Sequence, residues 1–218
     1  MLSDPLAERD PWLGRPSIDW DTTLKFRHSL WDQGMHLAEA MDTAQTGMGV
    51  DWETAKELIN RTMREAKAHP LKPRVAWGAG TDQLTLDQPT SDVAIIAAYS
   101  EQMEAIEAAG GQSIIMASRA MTAAGKGPNF YARVYAKLIE QAAEPVILHW
   151  LGDMFDSAIK GYWGRDDLDE AADSVLTIIN QHTDKIVGIK VSLLEQEQEK
   201  KIRARLPDEG TPLYWRRL

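Results

Sequence analysis

The chain has 218 residues, 44% hydrophobic, 26% charged and 7% aromatic, which is the composition of a folded globular protein and excludes a disordered, fibrous or collagen-like one. Its 24 Lys+Arg against 33 Asp+Glu give a formal charge of −9. With a pI of about 5.1, this argues against a surface for duplex nucleic acid or anionic lipid and leaves a small-molecule substrate as the expected partner. The absence of cysteine excludes a disulfide framework, a thiolate metal site and a cysteine nucleophile.

No apolar run approaches the roughly 20 residues that span a bilayer. Met1-Leu2-Ser3-Asp4-Pro5 lacks the basic start and apolar stretch of a signal peptide, so no membrane partner and a cytoplasmic location are expected. Taken in chain order, a helix is predicted over about 22–33, a strand-like apolar run over 35–41, a helix over 52–68, a run over 74–78 and a helix over 91–109. Next come a run over 113–117, a helix over 129–143, a run over 145–151, a helix over 168–181 and a run over 185–191. Asp51 and Ser91 have the chemistry of helix N-caps, and Gly110-Gly111 that of a helix stop. Residues 195–205, with alternating charges, read as a solvated helix face. The repeat of roughly 30 to 40 residues is the length of one βα unit, so the expected class is α/β with a parallel sheet of about five units.

Parallel sheets of this kind bind ligands at the C-terminal ends of their strands. Polar residues cluster there: Glu39, Asp42, Thr43 and Gln45 beyond the first run, the Gly78-Ala79-Gly80-Thr81-Asp82 stretch after the second, His149 and Asp153 on the fourth, Lys190 and Ser192 on the fifth. Alternation along a strand puts Lys190 on one face with Ile186 and Gly188, and His149 on one face with Ile147 and Leu151. A histidine and a lysine on neighbouring strands then converge on one pocket, where a desolvated amine can attack a carbonyl and form a Schiff base. Spacing alone leaves the alternatives open: a strand-end lysine as a solvated charge, a lone histidine as a structural one, and the glycine stretches as simple turns.

Val187-Gly188-Ile189-Lys190 resembles the dihydrodipicolinate synthase and N-acetylneuraminate lyase superfamily of Schiff-base (β/α)₈ barrels. Within it the chain is most similar to a dihydrodipicolinate-synthase-like family of unassigned function. That likeness rests on Asp4-Pro5-Leu6-Ala7, Ile18-Asp19-Trp20-Asp21, the run 39–45, Gly47-Met48-Gly49 and the run 78–84. The resemblance implies a class I lyase or aldolase that needs no metal or organic cofactor. Lys190 matches the Schiff-base lysine of strand six, and His149 falls where the synthases keep a proton-shuttling tyrosine. Thr43 matches the superfamily's Gly-Thr-Thr-Gly-Glu loop as a further catalytic residue, and Asp42 and Gln45 beside it are substrate-binding candidates. Arg119, Asp153 and Ser192 are further substrate-binding candidates, Arg119 for an acid group. The arginine expected after strand five is replaced by Asp153 and Met154. The substrate implied is therefore a sugar-like or polyol-derived carbonyl compound and not pyruvate or another 2-oxo acid.

The same correspondence makes the first run the family's second strand, so residues 1–218 are expected to be a single partial TIM-barrel domain holding strands two to six. A (β/α)₈ barrel ordinarily takes about 250 residues. Truncation is expected at both ends, with a frameshift after Tyr214. Deleting two bases from TAC ACT GGC GAC GAC TTC, which encodes the family-like Tyr-Thr-Gly-Asp-Asp-Phe, gives TAC TGG CGA CGA CTT, the Tyr214-Trp215-Arg216-Arg217-Leu218 of this chain. Unpaired sheet edges would then favour aggregation, and homo-oligomers are an expectation for the full-length family only. Two further readings accompany the Schiff-base one: a sugar isomerase or epimerase with Glu39, Asp42, His149 and Asp153 around a divalent cation, and a catalytically inactive fragment.

Overall fold

A computed structural model describes residues 18–39, 50–85 and 90–207, and the backbone of 213–214. Thr43, Asp42 and Gln45 lie outside the described residues. The elements are α1 (Trp20–Trp31), β1 (Leu37–Glu39), α2 (Trp52–Ala68), β2 (Val75–Ala79), α3 (Asp92–Ala109), β3 (Gln112–Ile115), α4 (Arg119–Ala123), α5 (Pro128–Gln141), β4 (Val146–Leu151), α6 (Leu168–Gln181), β5 (Ile186–Ser192), α7 (Gln196–Ala204) and β6 (Leu213–Tyr214). Two 3₁₀ turns, Ser157–Ile159 and Tyr162–Gly164, lie between β4 and α6. The chain groups into two compact units, Met1–Gly78 with Ala105–Gln112 and Ala79–Glu104 with Ser113–Leu218.

In the first unit β1 pairs in parallel with β2, Leu37 opposite Val75 and Glu39 opposite Trp77. Asp19 caps α1 by accepting the Thr22 N–H at 3.0 Å, and Asp51 caps α2 by accepting the Thr54 N–H at 2.7 Å. The α2 residues Ala55, Leu58, Ile59, Thr62, Met63 and Ala66 recur at helical spacing and are all buried. Trp77 is fully buried and donates its indole N–H to Met63 Sδ at 3.3 Å. Gly110 adopts φ +83° at the end of α3, a left-handed stop that glycine takes at no steric cost. A Cβ on Gly111 would lie 2.7 Å from Trp77 Cδ1, so the turn fits against the buried indole only without one.

In the second unit β3, β4, β5 and β6 pair successively, all in parallel. All six β4 residues are buried, as expected of a strand covered on both faces. Tyr131, Tyr135, Tyr162, Trp163 and Trp150 form a buried aromatic cluster with centroid separations of 4.8 to 6.2 Å. Gly161, Trp163 and Gly164 all have positive φ. The left-handed conformation of a buried tryptophan is held by the rings packed around it.

The elements differ from the sequence pattern at several points. The first strand occupies Leu37–Glu39 of the predicted run, and the first helix begins two residues before the expected start because Asp19 is its cap. α4 and the two 3₁₀ turns were not anticipated, and β6 adds a two-residue strand to the five. The charged stretch over 195–205 is a helix, but Gln198, Glu199 and Ile202 are buried. Its solvated side is laced to α6 by Lys201–Asp169 and Arg205–Asp173 ion pairs.

Candidate active site

Parallel pairing of β4 with β5 sets His149 opposite Lys190 and Leu151 opposite Ser192. Because side chains two apart on a strand share a face, Lys190 and Ser192 both reach the imidazole on the neighbouring strand. Lys190 Nζ lies 3.3 Å from His149 Nε2, and Ser192 Oγ lies 3.2 Å from the same nitrogen. Lys190 and Ser192 are half-buried, whereas His149 is fully buried and its Nδ1 has no hydrogen-bond partner among the described residues. Burial, and then the positive charge of Lys190, hold the His149 pKa well below its ordinary 6.5, so the ring is neutral at pH 7.

Beyond the rung formed by Leu151 and Ser192, the Gly152 N–H donates to the Ser192 carbonyl at 2.9 Å. There the chain opens a crevice of about 80 Å³ whose wall includes Trp150, Asp153, Met154, Lys160, Tyr162 and Leu193 but neither His149 nor Lys190. Asp153 is thus an exposed residue of that crevice. Arg119 is the first residue of α4 and more than half exposed, and its Nε donates to Asp156 Oδ2 at 2.6 Å. The guanidinium proposed for a substrate acid group therefore already carries a carboxylate. In the other unit Glu39 gives its carboxylate to the buried Arg27 guanidinium, whose Nη1 also donates to the Thr23 carbonyl at 2.9 Å. Burial raises the Glu39 pKa more than Arg27 lowers it. Among the described residues no group of three or more His, Asp or Glu is placed to hold a metal ion.

Spacing did not signal the hydroxyl network behind the strand ends. Thr81 Oγ1, just past β2, lies 2.7 Å from Ser118 Oγ, which also caps α4 by accepting the Met121 N–H. The Ser118 N–H donates to the Tyr162 hydroxyl, which lies 2.9 Å from the Tyr135 hydroxyl. Burial pushes the Tyr162 pKa up to about 12 and holds that of Tyr135 well above its ordinary value, so both hydroxyls stay protonated. The glycines flanking Tyr162-Trp163 were the one sequence sign that this loop turns sharply enough to insert both rings.

Parallel strands linked by helices, with a lysine and a histidine meeting across the last two long ones, define the chain as an α/β protein built of consecutive units of a (β/α)₈ barrel. The model of the family described as "Protein of unknown function (DUF993)" matches residues 1–214, and the chain belongs to that family. The fold is similar to that of dihydrodipicolinate synthase from Oceanobacillus iheyensis, solved at 1.9 Å, with a TM-score of 0.58 at 18% identity. The likeness covers 90% of this chain and 54% of that one, so the chain spans about half the length of the solved relative. No curated protein matches the sequence.

Proposed function

We propose that this chain carries the site of a Schiff-base lyase or aldolase acting on a small carbonyl compound, with Lys190 as the imine-forming residue and His149 as its proton relay. The observation that carries the reading is the 3.3 Å approach of Lys190 Nζ to the Nε2 of a buried imidazole in the C-terminal halves of adjacent parallel strands. A neutral Lys190 amine adds to the carbonyl carbon, forming the C–N bond as the π pair moves to oxygen. The proton released from nitrogen passes through His149 Nε2 to that oxygen, which leaves as water once protonated again and yields the iminium. The iminium then accepts the electron pair of the breaking C–C bond as the hydroxyl on the departing carbon loses its proton and leaves as a carbonyl. Protonation of the resulting enamine at carbon and attack of water on the iminium release the second product and restore the amine. Burial leaves the Nε2 lone pair of the neutral ring open to the proton and disfavours the imidazolium, so a proton taken up there is handed on and not held.

Occupation of Arg119 by Asp156, and the Asp153-Met154 pair where the resemblance leads one to expect an arginine, favour a sugar-like or polyol-derived carbonyl over a 2-oxo acid. Thr43 and Asp42 are proposed to orient the substrate oxygens, with Gln45 beside them, on the resemblance alone. The chemistry itself requires no metal or organic cofactor.

The test is borohydride trapping with glycolaldehyde, glyceraldehyde, dihydroxyacetone and pyruvate, read by intact mass and peptide mapping. A reduced adduct at residue 190 is expected, absent from Lys190→Ala and formed about 100-fold more slowly in His149→Gln, the usual scale of a general acid–base contribution. No adduct at Lys190 with any compound would remove the Schiff-base reading. An activity lost with chelator and resistant to borohydride would place the chemistry with a divalent cation instead.

A further inference from the structure

We propose that Ser192 is a positioning residue that holds the His149 ring against Lys190 in both protonation states of Nε2, an inference that rests on the Schiff-base reading above. A ring nitrogen has a single in-plane direction for a strong hydrogen bond. Two neighbours compete for that direction at His149 Nε2, Ser192 Oγ at 3.2 Å and Lys190 Nζ at 3.3 Å. The other nitrogen, Nδ1, has no hydrogen-bond partner among the described residues, and the side chain is fully buried. Among the described residues Nε2 is therefore the ring's only polar anchor, and that anchor is shared with the group whose bonding changes during the reaction.

The chemistry of the two competitors differs in a way that decides the role. A lysine ammonium only donates, and a lysine converted to an iminium has its nitrogen committed to the substrate carbon. A serine hydroxyl both donates and accepts and turns freely about its C–O bond. When Nε2 carries a proton, Ser192 Oγ accepts it; when Nε2 is bare, the hydroxyl donates to it. Each transfer between the Lys190 adduct and the substrate oxygen thus leaves Nε2 paired. Without the hydroxyl, the ring would be left with two unsatisfied buried nitrogens whenever Lys190 turned to substrate, a state whose cost disfavours the relay. Ser192 occupies this place because it lies two residues after Lys190 on β5, opposite Leu151, two residues after His149 on β4.

The experiment compares the wild-type chain with Ser192→Ala and Ser192→Thr, using glycolaldehyde and borohydride as the probe and ring-¹⁵N-labelled histidine for the spectrum. The His149 signals are assigned with His149→Gln among the five histidines of the chain. Ser192→Ala is expected to slow adduct formation at Lys190 by about tenfold or more, to displace its pH profile and to shift the His149 Nε2 resonance. Ser192→Thr, which keeps the hydroxyl, is expected to restore all three. An alanine variant equal to wild type in rate, pH profile and resonance overturns the proposal, as does a threonine variant as impaired as alanine. Should the wild-type chain give no adduct at Lys190, the Schiff-base reading fails by itself. The spectrum then decides the role of Ser192: a His149 resonance unmoved by Ser192→Ala overturns it, and a shift reversed by threonine supports it.

Discussion

At the scale of single residues, two buried titratable groups contribute to stability in different ways, one as a neutral ring and one as half of an ion pair. The His149 pKa is depressed in the folded chain by burial and by Lys190, whereas an unfolded chain leaves it near 6.5. As pH falls through 6.5, the unfolded state takes up the proton first, so stability present above that pH is lost progressively on acidification. Urea midpoints measured from pH 7.5 down to pH 5.5 should fall for the wild type, with His149→Gln showing a shallower dependence; equal slopes would mean that the ring is not held neutral. Glu39 behaves differently, because its carboxylate faces the buried Arg27 guanidinium. Glu39→Ala strands that cation and should cost about 3 to 5 kcal/mol in equilibrium unfolding. Glu39→Gln keeps an acceptor toward Arg27 and should cost clearly less. A Glu39→Ala loss below 1 kcal/mol, roughly the worth of an exposed pair, would show that Arg27 finds water.

At the scale of elements, what could be read in the sequence follows from how local its cause is. Asp51 and the Gly110-Gly111 pair fix helix ends through contacts a few residues away, and the structure places α2 and the end of α3 where those residues predict. The facing of His149 and Lys190 was legible for a similar reason: the two-residue period of a strand fixes each side, and parallel pairing of consecutive strands brings the sides together. The occupation of Arg119 by Asp156 was not legible, because it depends on how a five-residue helix and a 3₁₀ turn fold back on each other. The insertion of Tyr162 and Trp163 was legible only in part: the flanking glycines mark a sharp turn, but the positive φ at Trp163 is a conformation no local preference suggests. The Gly111 turn gives this scale its prediction. A methyl group there meets Trp77 Cδ1 at 2.7 Å and Ile106 Cγ2 at 3.1 Å, both on buried side chains. Gly111→Ala should therefore lose about 1 to 3 kcal/mol through overpacking, with a red-shifted tryptophan emission as Trp77 is displaced. A neutral substitution would mean that the indole has room to move.

At the scale of the whole molecule, charge and the buried ring act in the same range of pH. A formal charge of −9 at pH 7 keeps copies of the chain apart by repulsion, and that charge vanishes near the pI of about 5.1. Acidification from pH 7 to pH 5 therefore removes the repulsion while it also withdraws the stability contributed by a neutral His149. Light scattering should rise most steeply near pH 5 in the wild type. His149→Gln separates the two causes, because it removes a titrating ring yet leaves the formal charge with neutral histidine unchanged. If colloidal attraction alone drives association, His149→Gln and wild type should scatter alike at every pH. If partial unfolding leads, His149→Gln should stay clear closer to the pI, and added salt should not substitute for the mutation, since screening weakens charge repulsion but leaves the desolvation of a buried imidazole in place.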